Sequence, residues 1–495
     1  MGLTFIPPVD VLDPTTAIHH GTAAAGNFAA ATDAICVLHA ALERREEYER
    51  ILLRAAAGAG KSHLLKRMVD EALQHAQCRR VGVTAFANKQ IFPLAEDLGR
   101  ALGKDQVCLY VSKDRVNDVA QSVRDAATVV SDMQSIPASS GVVLATSHML
   151  MNTGPRLFTI LGSAYDAEHL FDVLFVDEAW QMPLYLYRRV ASLAPISVGV
   201  GDVGQLPPLD PGQNPWRGDP GYNPFRAWPT AYESDAHTWS RELPAVWRPH
   251  AHQLPLWRAF YPDWDQLHCV AAAEDRTIEL GSVDGDAASV WEQVATGVPT
   301  LVELYGLPEA DAPDIDPPLL AAVEQWLDRL LAAGFRLYDT QFDPTGVPSD
   351  RIEINSASPA GRVLIAVLAT RNQAVDDAQA MVERLIARHD LEPGSIVAST
   401  VDSWQGQTNA ITVAIHPLSG ASALDDFNSA FGRLAVTCTR ATHGLLLVAR
   451  AGLDKLLNTA PARPGTPLGE PGPRQLPRQT HQRILDSFAQ ARSSA

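Results

Sequence analysis

The sequence predicts an α/β protein built from two doubly wound domains with parallel sheets. The chain is 495 residues long, which is too long for one ordinary hydrophobic core. Short apolar runs recur in both halves, and continuous rather than alternating apolarity indicates strands buried on both faces. Amphipathic helical patterns, as at 61–73 and 374–387, separate several of these runs. The apolar runs lie at 81–84, 142–145, 173–176, 196–200, 363–368, 396–399, 411–415 and 445–448.

Three segments follow from this pattern. Residues 1–253 are expected to form the N-terminal domain, with a small inserted subdomain at about 91–140. Residues 254–455 are expected to form the C-terminal domain. Six prolines within 461–477 predict that 456–495 is a flexible tail.

Charge is unevenly distributed. The formal net charge of −17 argues against a protein whose whole surface binds nucleic acid. However, residues 261–318 hold thirteen acidic residues and a single basic one, Arg276, so a basic groove elsewhere remains compatible with the total. This acidic segment is either an ordinary solvated surface or, like the proline-rich tail, a docking site for a protein partner.

The five cysteines contain no C-x-x-C pair, so zinc-ribbon and iron–sulfur spacings are not present. The N-terminus does not have the pattern of a secretory signal, and no apolar run approaches the ~20 residues of a membrane span. We therefore expect a soluble, cytoplasmic protein with reduced thiols and no membrane contact.

A glycine-rich loop follows the apolar run 51–53 and opens a helical pattern. Glycines let backbone N–H groups surround phosphate oxygens, while a lysine reaches the terminal phosphates and a serine hydroxyl binds magnesium. The usual first glycine of this pattern is Ala55 here. The predicted nucleotide-binding residues of the loop are Ala57, Gly58, Ala59, Gly60, Lys61 and Ser62.

Two further strand ends complete a hydrolysis site. The apolar run 173–176 ends in Asp177 and Glu178, at the edge of a parallel sheet where ligands bind. Asp177 is expected to hold Mg²⁺ together with Ser62, and Glu178 to deprotonate the attacking water. Gln205, which follows the run 196–200, is placed to hydrogen-bond the γ-phosphate.

Taken in order, these motifs resemble the superfamily 1 helicases, in the branch that contains the nonsense-decay RNA helicase and its DNA-repair relatives. The resemblance implies two RecA-like domains with the nucleotide between them and single-stranded nucleic acid across both. It covers roughly residues 50–450, and each motif alone is far less specific than the ordered set. The motifs lie at 55–62, 177–181, 201–208, 243–250 with 260–261, 365–373, 401–407 and 433–444.

The resemblance also implies residue roles. Arg248 and Arg440 match two arginines that reach the γ-phosphate, where a guanidinium stabilises charge on the transferring group. Gln373 and Gly406 match nucleotide-binding positions. Trp404 is expected either to stack on a base or to lie in the core. The expected nucleic-acid contacts are Thr84, Ala85, Phe86, Asn88, Thr146, Ser147, His148, Ser403 and Trp404.

Three departures from the family pattern touch recognition of the base or ribose. No glutamine precedes Gln74, Thr370 stands where an aromatic residue often stacks on the base, and Thr408 replaces a frequent glutamate. The sequence therefore predicts relaxed selectivity among nucleoside triphosphates.

The resulting hypothesis is an NTP-dependent translocase or helicase on single-stranded nucleic acid, with ATP as substrate and Mg²⁺ as cofactor. DNA is favoured over RNA, and the resemblance implies movement from 5′ to 3′. The alternatives are a regulatory NTPase switch, or a motor subunit of a larger complex that does not unwind independently.

Overall fold

The computed structural model describes most of the chain. The described residues are 2–9, 20–165, 167–204, 208, 223–261, 264, 267–312, 315–343, 345–355, 363–370, 372–425, 428, 430–460 and 477–494. Gln205 lies outside them, and the side chain of Gln373 is not described.

The first domain is organised around an eight-stranded sheet in which every pair of neighbouring strands is parallel. The strand order is β4-β3-β5-β2-β6-β7-β1-β8, so β7 separates the strand before the phosphate loop from the strand that ends at Asp177. The strands are β1 Arg50–Ala55, β2 Val81–Ala85, β3 Val107–Tyr110, β4 Thr128–Val130, β5 Val142–Thr146, β6 Val173–Asp177, β7 Ile196–Gly201 and β8 Thr238–Leu243.

Helices cover both faces of this sheet. Successive residues of β1 enter different cores, because Ile51 and Leu53 pack in one cluster whereas Leu52 packs in another. The same alternation of fully buried residues explains why these strands read as continuous apolar runs. The helices are α1 His20–Leu42, α2 Lys61–Gln74, α3 Asn88–Leu102, α4 Gln121–Ala126, α5 Ser147–Leu161 and α6 Leu184–Val190.

The prediction of an inserted subdomain at 91–140 is wrong. This stretch holds most of α3, then β3, α4 and β4, and the two strands extend the main sheet at its edge. Helix α4 is short because the segment that follows it forms β4, which pairs with β3. Cys108 and Leu109 of β3 are buried in the same cores as the central strands.

Short elements link the two domains, namely β9 Ala245–Val246, α7 Leu254–Phe260 and β10 His268–Cys269. The second domain holds a six-stranded sheet in the order β16-β15-β17-β18-β12-β19, again with all neighbours parallel. A smaller antiparallel sheet has the order β11-β13-β14. The strands are β11 Arg276–Leu280, β12 Thr300–Tyr305, β13 Phe335–Phe342, β14 Pro348–Ile354, β15 Val363–Ala369, β16 Ile396–Thr400, β17 Asn409–Ile415, β18 Ala441–Arg450 and β19 Ala489–Ser494.

The prediction of two doubly wound, RecA-like domains is confirmed. Among the described residues, six helices belong to the second domain. Its largest sheet packs on both faces, since Leu446 and Val448 of β18 enter one core and Leu447 enters another. The acidic segment 261–318 is folded into this domain, where it supplies β11, α8 and β12. The helices are α8 Asp286–Ala295, α9 Pro317–Ala333, α10 Asn372–His389, α11 Phe431–Cys438, α12 Leu453–Thr459 and α13 Pro477–Leu485.

The two domains share a hydrophobic core. One continuous cluster of buried side chains contains Leu53 of the first sheet, Trp257 of α7 and Leu447 of the second sheet. Because this apolar contact is continuous, the ends of the two sheets are held in a defined arrangement. The candidate functional site lies at this junction.

Both termini depart from the predicted domain boundaries. The prediction of a flexible tail is wrong for 477–494, because β19 adds a parallel strand beside β12 and Phe488, just before β19, is buried in the shared core. Residues 461–476 lie outside the described part. The segment 2–9 belongs to the second domain, since Ile6 pairs with Gln490 of β19. Strand pairing over such a sequence separation leaves no local signal in composition.

One helix has the length and apolarity of a membrane span. Residues 21–42 of α1 have a mean hydropathy of 1.3 and are half buried, contrary to the expectation that no run approaches this length. Ala34 and Leu38 of this helix are completely buried in the shared core. The helix therefore packs as a core element of the first domain.

Candidate active site

The phosphate loop joins β1 to α2. Gly58 and Gly60 have φ of 72° and 93°, in the left-handed region that favours glycine. A Cβ at Gly58 would collide with Cβ of Arg248, so this glycine is also required by close packing. Ala55 is the last residue of β1, where extended backbone suits alanine, and this explains how the loop forms without its usual first glycine.

Lys61 lies between two carboxylates at the ends of neighbouring strands. Its Nζ is 3.4 Å from Oδ2 of Asp202, after β7, and 3.7 Å from Oε1 of Glu178, after β6. All three side chains are largely buried. Buried charges of opposite sign stabilise one another more strongly than exposed ones, so the ammonium group is held in place before any ligand binds.

Asp202 and Tyr261 extend this centre and were not among the predicted site residues. The Tyr261 hydroxyl donates to Oδ1 of Asp202 at 2.8 Å and accepts from the backbone N–H of Ala57 at 3.0 Å. Burial, with the Asp202 carboxylate second, raises the pKa of Tyr261 well above its usual value, so the phenol remains a donor. Both residues lie inside motifs that the sequence displays, but nothing local shows that they meet.

Asp177 and Glu178 stand together at the end of β6. Burial, with the adjacent Glu178 carboxylate second, raises the pKa of Asp177 to about 7. Glu178 has φ of 49°, a left-handed conformation that is uncommon for a residue with a side chain. Strained backbone of this kind concentrates at functional sites, and here it turns the chain directly after the strand.

Magnesium fits the predicted pair of ligands. Ser62 is exposed in the first turn of α2, and Asp177 is a carboxylate whose charge is only partly compensated by Lys61. Hydroxyl and carboxylate oxygens suit this ion. Among the described residues no group of three or more His, Cys, Asp or Glu side chains is suited to hold a metal, so phosphate oxygens and water would complete the ligand shell.

Arg248 and Arg440 bring two positive charges to the same centre. Arg248 donates from Nη1 to the carbonyl of Thr439 at 3.0 Å, which ties the chain after β9 to the end of α11. Burial, with the charge of Arg440 second, lowers the pKa of Arg248 to about 9. Burial also lowers the pKa of Arg440, whereas the carboxylates of Asp202 and Glu178 oppose that shift.

The hydrogen bonds of Arg440 explain its position. The side chain is 1% exposed, and its nitrogens donate to the carbonyls of Val436 and Gln407 and to the hydroxyl of Thr439. All three acceptors are neutral. Two neighbouring arginines in a desolvated site repel each other, and an anion would relieve that cost. Gly406, next to Gln407, is exposed with φ of 87°.

A cavity of about 330 Å³ adjoins the phosphate loop. Its lining is mostly apolar and includes three aromatic side chains, Phe28 of α1, Trp247 and Phe342 of β13. Asn27 also lines it, but its amide donates to the carbonyls of Ala59 and Ala245 and accepts from the Ala245 N–H. Two of these three aromatic side chains, Phe28 and Phe342, come from segments outside the motifs, while Thr370 lines a different cavity.

The expected nucleic-acid contacts separate into buried and accessible groups. Thr84 and Ser147 are completely buried, their hydroxyls lie 3.1 Å apart, and Ser147 donates to the carbonyl of Ala85, which is itself buried. The expectation that Thr84, Ala85 and Ser147 contact nucleic acid is therefore wrong. Thr146 accepts from the N–H of Met149 and caps α5.

Accessible groups remain at the same edge. Phe86 and His148 form an edge-on ring pair with centroids 5.4 Å apart, and His148 is exposed. Ser403 is exposed and Asn88 half-buried. Trp404 is half-buried against the shared core and donates from Nε1 to Asn409, which favours the core alternative.

Lys89, which the sequence did not single out, spans the two domains at this edge. Its Nζ donates to the carbonyl of Asp402 at 2.9 Å. The side chain of Asp402 in turn contacts Arg433, at 3.4 Å. The loops after β2 and β16 are therefore held next to each other.

Comparison with known proteins gives structural similarity alone. No family model matches the chain, and no curated protein matches it. Crystal structures of arterivirus nonstructural protein 10, a helicase, match 81% of this chain at 14% identity, alone with a TM-score of 0.37 and with DNA at 0.38. The Pyrococcus furiosus Hef helicase domain matches 84% of this chain and 95% of its own length at 10% identity, with a TM-score of 0.32.

This chain spans 59% and 61% of the two arterivirus chains. At these identities and TM-scores, the assignment of an activity rests on the geometry of the site.

Proposed function

We propose that the chain is an NTP-dependent translocase or helicase on single-stranded nucleic acid. The observation that carries this proposal is the meeting of two sets of charges at the domain junction. Lys61, Glu178 and Asp202 come from the first sheet, and Arg440 follows α11 of the second domain and reaches Arg248 through Thr439. A nucleotide bound there contacts both domains, so its hydrolysis can change how they are arranged.

Each group has a role that its chemistry supports. Lys61 and backbone N–H groups of the loop other than that of Ala57, which donates to Tyr261, bind the phosphates. Glu178 accepts a proton from the attacking water. Arg248 and Arg440 stabilise negative charge on the transferring phosphoryl group. Ser62 and Asp177 would hold Mg²⁺, which supplies further neutralisation of phosphate charge when bound. The role of Gln205 at the γ-phosphate stays a prediction.

Phe86 and His148 support the nucleic-acid part of the proposal. Aromatic faces bind bases of any sequence by stacking, and these rings lie at the accessible edge beside the Lys89–Asp402 contact. Single-stranded DNA is proposed over RNA, with movement from 5′ to 3′, on the sequence resemblance. Protein partners at the acidic segment or the proline-rich segment, and a cytoplasmic location, stay predictions.

The test is steady-state ATP hydrolysis by the whole chain with single-stranded DNA, with single-stranded RNA and without polymer. Many-fold stimulation by either polymer is the expected result. Hydrolysis at the same rate in all three conditions would favour the alternative of a regulatory NTPase switch. No hydrolysis in any condition would contradict both.

Relaxed nucleotide selectivity is a separate prediction about the cavity. Phe28, Trp247 and Phe342 offer apolar surface to any base, and the amide of Asn27 is committed to backbone groups. We expect kcat/KM for ATP and GTP to agree within about tenfold, because stacking on aromatic rings does not distinguish adenine from guanine. Strict dependence on ATP would contradict this interpretation.

A further inference from the structure

A row of hydrogen bonds joins the loop after β2 to the carboxylate of Glu178. The backbone N–H of Ala87 donates to Oε1 of Gln90 at 3.0 Å. Nε2 of Gln90 donates to Oε1 of Gln181 at 2.9 Å, and Nε2 of Gln181 donates to Oε2 of Glu178 at 3.2 Å. Two glutamine side chains thus connect the accessible edge of the sheet to the hydrolysis centre.

The two ends of this row determine the orientation of both amides. A backbone N–H can only donate, and an ionised carboxylate can only accept. Gln90 must therefore present its oxygen to Ala87 and its nitrogen to Gln181. Gln181 in turn must present its oxygen to Gln90 and its nitrogen to Glu178. Neither amide can reverse without placing two donors or two acceptors against each other, which is unfavourable in a partly buried site.

Local structure explains why these residues face each other. Gln90 is in the first turn of α3, where a glutamine can reach back to the N–H of the residue before the helix. Residues Ala179–Gln181 form a single 3₁₀ turn, in which side chains three residues apart lie directly above one another. This turn places Gln181 over Glu178, whose left-handed backbone starts the turn.

The loop at the far end carries accessible side chains. Phe86 and Asn88 flank Ala87, and Phe86 contacts the exposed His148. A ligand that moves this loop moves the Ala87 N–H. Because each bond in the row is directional, that movement is passed to the carboxylate of Glu178.

We infer that Gln90 is a positioning residue that acts through Gln181 to couple occupancy of the loop at 86–88 to the orientation of Glu178. The inference rests on the proposed function and adds to it a route by which single-stranded nucleic acid accelerates hydrolysis. Gln90 contacts neither nucleotide nor polymer in this scheme.

The decisive variant is Gln90→Glu. A glutamate at this position still accepts from Ala87 and keeps the helix cap, but it cannot donate to Gln181. Gln181 then turns its nitrogen toward the new carboxylate and loses its bond to Glu178. Gln134→Glu makes the same charge change at an exposed site in the same domain and serves as the control.

The measurements are kcat and KM for ATP with and without a saturating oligo-dT, together with the Kd for fluorescent oligo-dT. For Gln90→Glu we expect a fall of about tenfold in the oligo-dT-stimulated kcat, the cost of one hydrogen bond to a charged group, with KM and Kd within about twofold of wild type. Gln181→Ala, which leaves the cap of α3 intact, should lose a similar factor. Adding Gln90→Glu to Gln181→Ala should then have no further effect on kcat.

Three results would overturn the inference. A folded Gln90→Glu protein whose kcat is stimulated by oligo-dT as in wild type would overturn the inference but not the proposed function. Losses of kcat that multiply in the double variant would have the same consequence. If thermal denaturation shows that Gln90→Glu is not folded, Gln181→Ala provides the test. An unchanged oligo-dT-stimulated kcat in Gln181→Ala would then overturn the inference. Failure of the wild-type protein to respond to any polymer would contradict the proposed function as well, and the wild-type measurement therefore separates the two failures.

Discussion

Two halves of the same sheet edge differ in how they use the polar residues at the ends of their strands. At the ends of β6 and β7, Glu178 and Asp202 converge on Lys61, with unlike charges held close together. At the ends of β2 and β5, Thr84 and Ser147 satisfy each other and are closed off from solvent. A polar residue at the end of a strand can thus be closed off from solvent by a partner inside the protein, so its residue type alone does not show that it contacts a ligand.

The largest effect is expected at the charged half. Lys61→Ala removes the cation between Glu178 and Asp202, so phosphate binding and transition-state stabilisation are both lost. We expect kcat for ATP to fall by about a thousandfold. The measurement is phosphate release at saturating ATP.

The control for this variant lies on the same helix. Lys66 pairs with Asp97 at 2.9 Å away from the centre, and Lys66→Ala should stay near the wild-type rate. Equal losses in both lysine variants would show that α2, rather than the Lys61 charge, had been damaged.

In the other half of the edge, accessible and buried side chains are expected to respond differently to substitution. Phe86→Ala and His148→Ala should each weaken binding of single-stranded DNA about tenfold, because an aromatic face contributes about 1–3 kcal/mol per stacked base. Thr84→Val should leave affinity unchanged and lower the free energy of unfolding by about 1–2 kcal/mol, because the hydrogen bond between the two buried hydroxyls is lost while Ser147 still donates to the carbonyl of Ala85. Fluorescence anisotropy and urea denaturation measure the two quantities. A loss of affinity in Thr84→Val would restore the original interpretation of that hydroxyl.

An effect on pH-dependent stability is expected away from both halves, directly after β17. Burial, with the ring of His481 second, lowers the pKa of His416 to about 3 from an ordinary value near 6.5. Between about pH 3 and pH 6.5, His416 therefore binds a proton in the unfolded chain but not in the folded chain. Stability falls as pH is lowered from about 6.5 toward 3, by about 1.4 kcal/mol per pH unit from this residue.

Urea unfolding across this range measures the effect. His416→Asn keeps a polar side chain and should show a shallower loss of stability than wild type between pH 6 and pH 4. Identical slopes in the two proteins would indicate that His416 takes up a proton in the folded state.

The sequence predicts well where function depends on consecutive residues. The loop from Gly58 to Lys61 and the pair Asp177 and Glu178 are local patterns, and their strands are identified by continuous apolarity. Because β1, β7 and β6 are neighbouring parallel strands, the phosphate loop and the carboxylate pair meet at the same edge of the sheet.

Contacts between distant segments account for what the sequence could not provide. Tyr261 accepts a hydrogen bond from Ala57, which is 204 residues away in the chain. Strand β19 pairs with β12, but it follows a proline-rich stretch whose composition predicts a flexible tail. Thr84 and Ser147 have the composition of ligand contacts, and only their pairing shows otherwise. Gln205 and the side chain of Gln373 lie outside the described residues, so their roles stay predictions.

The most direct test of hydrolysis between two domains is kcat for ATP in Arg440→Gln, measured beside the Kd for ADP at saturating oligo-dT. Arg440 is supplied by the second domain and is buried against the centre formed by the first. We expect kcat to fall at least about a hundredfold, because a charge that stabilises the transferring phosphoryl group is lost, while the Kd for ADP, which lacks that group, stays within about threefold. A folded Arg440→Gln protein that hydrolyses ATP at the wild-type rate would show that the second domain does not take part in the chemistry.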